Sequence, residues 1–456
     1  MLSIVDSNGR FSRRAFLHLG GPAVLGSLLP CTALADSRLY SGKSVIFLFM
    51  HGGPSQFETF DPKMTAPSEI RSTTGEIRTR LPGITFGGTF PKMANQAHRC
   101  SIVRSFVTGD GNHDIKPIVS ADTSGANLGC VLAKTIGASH PVSGMPTNVA
   151  LFPQTVSSSS EPAQTSFGNF LSTGPFGFGV APLVPGSSGQ FQKNLKLAVP
   201  LDQLQDRRAL LSQFDGVHRW LDEPYQNGLD SIRSNAYRVL LGSVADAFDL
   251  TKEDPRVIDK YDTQPLMRAD QIDKKWNNYK YYRDNAATLG KLLLLARRLC
   301  ERGCGFVTVT TNFVWDMHAD VNNAPLSEGM RYVGHPFDHA VSTFLEDVAL
   351  RGLSDQILLV CCGEMGRTPR INKQGGRDHW GNLAPLLLSG GGLQMGQVIG
   401  RSTSNGGEPA TEPFNNRNLI ATIMHTLFDI GKLRIAPGLP REISKMLDWS
   451  PITQLF

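Results

Sequence analysis

Lys43-Ser44-Val45-Ile46-Phe47-Leu48-Phe49-Met50 is a nearly continuous apolar run between Gly42 and Gly52-Gly53. A strand with one face in water alternates apolar and polar residues. A run that is apolar at almost every position reads as a strand buried on both faces, the situation in a parallel sheet covered by helices. The elements farther along the chain repeat that theme. Residues 305–311, Gly-Phe-Val-Thr-Val-Thr-Thr, are β-branched and strand-like, and residues 356–362 and 384–389 are two more apolar strand candidates.

Helical patterns separate these strands. Residues 274–302 place Leu292, Leu295 and Leu299 on one face, with Gly303 positioned to end the helix. Residues 230–253 show the same mixed spacing. A helix over 336–351 is expected from Phe337, Val341, Phe344, Leu345 and Val348, with Pro336 suited to its first turn, and another over 418–430 from Leu419, Ile423 and Leu427. Strands alternating with helices predict an α/β protein with a mainly parallel sheet. Residues 151–200 are rich in Ser, Gly and Pro without sustained periodicity and read as a long surface excursion.

Upstream of the first strand, Ser12-Arg13-Arg14-Ala15-Phe16-Leu17 precedes a weakly apolar stretch that ends in Ala33-Leu34-Ala35. This pattern is that of a twin-arginine signal with an A-x-A exit, so residues 1–35 are expected to be removed on export and residues 36–456 to form one domain. Gly20-Gly21-Pro22 interrupts the stretch, and no other membrane-span candidate occurs, so no stable span is expected after removal. The expected location is periplasmic or extracellular. The formal charge of +5 falls to about +3 without the signal, too little for a nucleic-acid groove. Of seven cysteines, Cys31 lies in the signal; the other six would be permitted to bridge in an oxidising compartment, but none has zinc-type C-x-x-C spacing.

Polar clusters fall where ligands bind in such sheets, beyond the carboxyl ends of the strands. His51-Gly52-Gly53-Pro54-Ser55 follows the first strand: His51 could take a metal or a proton and Ser55 offers a hydroxyl, or the segment is simply a turn. Asp316 and His318 are two apart, so in an extended segment they face one way and could share a cation or form a hydrogen-bonded pair. Glu364 directly follows a buried strand with Arg367 three residues on, which suits a metal plus an anionic group, or else a surface ion pair. Asp378 and His379 precede a strand rather than following one. His113-Asp114 lies in a loop that either faces the same crevice or is a polar turn. Asp338, near Pro336, is expected to have a structural role at a helix start. Oxygen and nitrogen ligands in this order suit a divalent cation such as zinc or manganese better than a thiolate site would.

Taken together, MHGGPSQFETFDPK, WDMH, GHPFDHA, GEMGRTP and GRDHW, with SRRAFL ahead of them, resemble the domain-of-unknown-function family fifteen-oh-one, exported proteins related to sulfatases and alkaline phosphatases. The resemblance runs from about residue 44 to residue 430. It implies a doubly wound, mainly parallel sheet with helices on both faces, and a two-metal centre acting on a phosphate or sulfate ester of a small molecule or polysaccharide. Carried onto this chain, Asp316, His318, Glu364 and His379 resemble metal ligands, Asp378 supplements them, and Arg367 would hold an anionic oxygen. His51 stands where such enzymes have Asp at the end of the first strand, and Glu364-Met365 where they have Asp-His. The formylglycine pattern of sulfatases is absent: Cys100-Ser101-Ile102-Val103-Arg104 lacks the proline, and the usual nucleophile region reads Asn112-His113-Asp114. The expected function is a metal-dependent ester hydrolase, with Ser55, His113 and Arg367 as catalytic candidates; the alternative is a non-catalytic binding or assembly protein that keeps the fold.

Overall fold

The structure is a computed structural model that describes residues 39–186 and 244–456. Eleven strands are present among the described residues: β1 Ser44–Phe49, β2 Glu76–Arg78, β3 Thr85–Gly87, β4 Ser101–Val103, β5 Asn148–Leu151, β6 Phe306–Val309, β7 Ile357–Cys362, β8 Gly366–Arg367, β9 His379–Trp380, β10 Leu386–Gly390 and β11 Gln397–Ile399. Seven of them form one sheet in the order β11-β4-β10-β7-β1-β6-β5. Only β10 runs against its neighbours, β4 and β7; every other pairing in the sheet is parallel.

The apolar run that opens the chain's logic is the centre of this sheet. Every residue of β1 is buried. Ile46 and Leu48 point into one apolar layer, with the long helices Tyr279–Glu301 and Leu326–Leu350. Val45, Phe47 and Phe49 point into the other, with the helices Leu128–Ile136 and Asn416–Leu427. The sheet is therefore covered by helices on both faces, and the period of two along β1 divides the core between them. No helix among the described residues is long and apolar enough to cross a membrane.

The predicted elements stand with adjusted boundaries, except for two. The helix expected to start at Pro336 starts at Leu326 and carries Pro336 in its interior. The reason is visible in the packing: Leu326, Met330, Val333 and Phe337 continue the buried stripe of Val341, Phe344, Leu345 and Val348 across the proline. Burial of that face outweighs the roughly 3 kcal/mol that proline costs inside a helix. Residues 244–253 form a short helix, Val244–Phe248, and a 3-10 turn, Leu250–Lys252, rather than the end of one long helix; the part of that expectation before residue 244 lies outside the described residues. So do the signal at 1–35 and the excursion beyond residue 186.

Sheet direction explains why distant motifs meet. Parallel β1, β4, β6 and β7 end on one edge, which brings His51, His113, Asp316-His318 and Glu364 there. His379 precedes its strand in sequence, but β10 is antiparallel, with Leu386 paired to Cys362 at the end of β7. The segment entering β10 therefore lies at the same edge. A two-residue ladder, Arg367 opposite His379, ties it to the loop after β7.

Candidate metal centre

Four side chains converge at that edge. His113, Asp316, His318 and His379 each offer one ligand atom, and these atoms lie within 4.8 Å of one another. Around Asp316 Oδ1 stand His318 Nε2 at 2.7 Å, His379 Nε2 at 3.4 Å and His113 Nε2 at 3.5 Å. His318 Nε2 and His379 Nε2 are 2.7 Å apart. His113 Nε2 is buried and has no hydrogen-bond partner. Three imidazole nitrogens and one carboxylate oxygen facing one point form a donor set that suits a cation of zinc type, and the unpartnered nitrogen fits that use.

A second layer fixes the first. Glu364, fully buried after β7, accepts the backbone N–H of Gly52 at 2.9 Å and lies 3.0 Å from His113 Nδ1. With Nδ1–H directed to Glu364, the lone pair of His113 Nε2 faces the centre. Asn323 donates to Asp316 Oδ2 at 3.1 Å, while the imidazoles gather at Oδ1. Glu364 thus stands one layer behind the ligand atoms, not among them. Asp378 is also behind, 3.7 Å from His318 Nδ1 and largely exposed.

Arg367 differs from its expected role. Its side chain is 1% exposed, and its guanidinium donates to the carbonyls of Gly52, Gly53 and Arg377 and, at 2.6 Å, to Asp316 Oδ1. Those contacts occupy the fork that would have gripped an anion and make it a brace between the β1 turn and Asp316. The glycines serve the same close packing: a Cβ on Gly52, whose φ is +111°, would come within 2.6 Å of the Asp316 nitrogen. Gly53 is as crowded, with a Cβ there coming within 2.6 Å of the Met365 side chain. Ser55 is likewise placed elsewhere, its hydroxyl donating to Glu58, which pairs with fully buried Arg377 at 3.2 Å.

His51 is the other displaced candidate. It is 1% exposed, neither ring nitrogen has a partner, and Phe49, Phe167, Phe170 and Phe313 surround it at centroid distances of 5.0–6.0 Å. Burial lowers its pKa to about 4, so the ring is neutral. Phe167 and Phe313 carry no signal in the sequence, yet both also contact His113, at 5.1 and 4.6 Å. Phe167 belongs to the Ser/Gly/Pro-rich excursion, and low complexity hid the fact that the excursion packs against the site. Asn323 was missed because a lone Asn in a loop carries no signal.

Electrostatics follow from this packing. Burial opposes ionisation of Asp316, but the Arg367 guanidinium and the three histidines outweigh it and hold the carboxyl well below its usual range. Burial also opposes a charge on His113, yet Asp316 and Glu364 raise its pKa overall. A proton and a metal ion would therefore compete for the same nitrogen. His379 is lowered, chiefly by burial. The cysteines are remote from this chemistry: all six among the described residues are free and buried, and burial pushes the Cys100 thiol up to about 12. Cys100 enters β4 as an inert core residue.

The family model described as protein of unknown function (DUF1501) matches residues 42–438, and the chain belongs to that family. No curated protein matches it in sequence. Among solved structures it is similar to the crystal structure of Ps i-CgsB, with 10% identity over 84% of this chain and 72% of that one and a TM-score of 0.35. It is also similar to the lipoteichoic acid synthase LtaP from Listeria monocytogenes, with 8% identity over 96% and 82% and a TM-score of 0.32. The alkaline phosphatase of the Antarctic bacterium TAB5 matches at 13% identity over 91% and 100%, with a TM-score of 0.27.

Proposed function

We propose that the chain is a metal-dependent hydrolase of phosphate or sulfate esters, acting outside the cytoplasm on a small-molecule or polysaccharide substrate. The observation that carries this reading is the convergence of His113, Asp316, His318 and His379 at the carboxyl edge of the sheet. Zinc or manganese suits the donor set, and such an ion would supply Lewis-acid charge at an ester oxygen. The chain's own residues do the rest. Glu364 orients His113, Asn323 and Arg367 hold Asp316 at its two oxygens, and the phenylalanines beside His113 keep that flank of the centre dry. Export by the twin-arginine signal at residues 1–35 belongs to the same proposal.

One observation favours the non-catalytic alternative: the Ser55 hydroxyl is committed to Glu58, away from the cluster. Metal analysis of purified protein, combined with hydrolysis of p-nitrophenyl phosphate and p-nitrophenyl sulfate, separates the two. We expect bound zinc or manganese, hydrolysis that a chelator abolishes, and loss of both metal and hydrolysis in His379→Ala with the fold intact. A Cys100→Ala variant should keep its activity. Bound metal without turnover of either ester would favour a binding or assembly role, and a metal-free, non-binding protein would end the hydrolase reading.

A further inference from the structure

We infer that this centre holds one metal ion per chain, not the pair that the family resemblance implies. The inference rests on the proposed metal site and concerns its stoichiometry. A second ion needs its own donors within reach, and the buried side chains that would supply them are committed, leaving only exposed Asp378. Glu364 accepts the Gly52 N–H at both carboxylate oxygens, 2.9 and 3.2 Å away, and Oε1 also lies against His113 Nδ1. Ser55 serves Glu58, whose carboxylate is neutralised by Arg377. Asp316 gives Oδ2 to Asn323 and Oδ1 to the first centre.

His51 stands where a second ion would find its first-strand ligand, and apolar rings surround it instead. Phe167 and Phe313, stacked at 4.6 Å, each touch both His51 and His113. An ion bound by His51 would sit among ring faces and edges, while Glu364 and Asp316, the carboxylates that act on it, are engaged by Gly52, Asn323 and the first centre, and desolvation of a divalent charge without free partners is prohibitive. Arg367 adds to the exclusion. Its buried guanidinium, 2.6 Å from Asp316 Oδ1, already places one positive charge beside the centre. Among the described residues no other group of three or more His, Cys, Asp or Glu converges as these four do.

Metal titration of the full-length protein, stripped with chelator and dialysed, tests this by equilibrium binding of zinc and of manganese with metal analysis of the product. One equivalent is expected in the unaltered protein and in the His51→Leu and Ser55→Ala variants, with near-complete loss in His318→Ala. Glu364→Gln should keep one equivalent but bind it about 10- to 100-fold more weakly, because it removes an orienting partner and not a ligand. Two equivalents, or a fall in stoichiometry on changing His51, would overturn the single-ion inference while leaving the metal-site reading in place. No binding of either metal would remove that reading and the inference together.

Discussion

His51 illustrates how little a residue's type says about its use. Read in sequence, an imidazole at the end of the first strand is a ligand candidate; in the fold it is a ring among phenylalanines with both nitrogens unpaired. The members of the candidate cluster are more legible. Asp316 and His318 are marked by strand-end position and spacing and His379 by its motif, while His113 stands among the catalytic candidates because its loop occupies the usual nucleophile region. Arg367 and Ser55 differ from expectation for a common reason: a sequence shows a donor but not the carbonyl or carboxylate that occupies it. The His51 arrangement has a pH consequence. Its folded pKa, about 4, lies below the ordinary histidine value of 6.5, so the unfolded chain binds the extra proton first as pH falls. Stability from this group is present above pH 6.5 and is lost as pH drops toward 4. Between pH 7 and pH 5 the loss is about 2 kcal/mol. We expect His51→Leu to flatten this part of the stability profile in urea unfolding at the two pH values. An unchanged pH dependence would show that His51 is not held neutral.

At the scale of elements, periodicity located the strands and helices but not their limits. The helix across Pro336 shows why: proline is a boundary signal in isolation, and the buried stripe on both sides of it overrides that signal. The same element corrects the reading of Asp338. It lies well inside the helix, and its carboxylate accepts the backbone N–H groups of Lys92 at 3.0 Å and Met93 at 2.7 Å. These begin the helix Pro91–Gln96, which has no side-chain cap of its own. Asp338 thus has a structural role, but as the cap of a neighbouring helix supplied by a distant part of the chain and not at the start of its own. Asp338→Ala should destabilise the protein by about 1–2 kcal/mol, as expected for loss of a cap that leaves two N–H groups unsatisfied. Chemical denaturation measures this directly. Metal content should not change, since Asp338 serves the helix start and takes no part in the donor set.

At the scale of the whole molecule, the alternation of strands and helices announced the sheet, and the edge at which the polar motifs gather follows from strand direction. What no local pattern could supply was strand order, and with it the antiparallel β10 that carries His379 to the edge where the parallel strands end. The core built on this sheet also bears on the cysteines. Cys100, Cys130, Cys300, Cys304, Cys361 and Cys362 are free and buried in the two apolar layers. None of the six is bridged to another in this fold. The seventh, Cys31, lies within the proposed signal. Counting thiols on protein recovered from outside the cytoplasm therefore tests the core and the export proposal together. Under native conditions a thiol reagent should find none of the six, because burial both shields them and disfavours the thiolate. In denaturant without reductant it should find six, with a chain beginning at Asp36. Seven thiols would mean that Cys31 is retained and the signal is not removed after Ala35, whereas fewer than six in the shortened chain would reveal a disulfide and a core packed differently from this one.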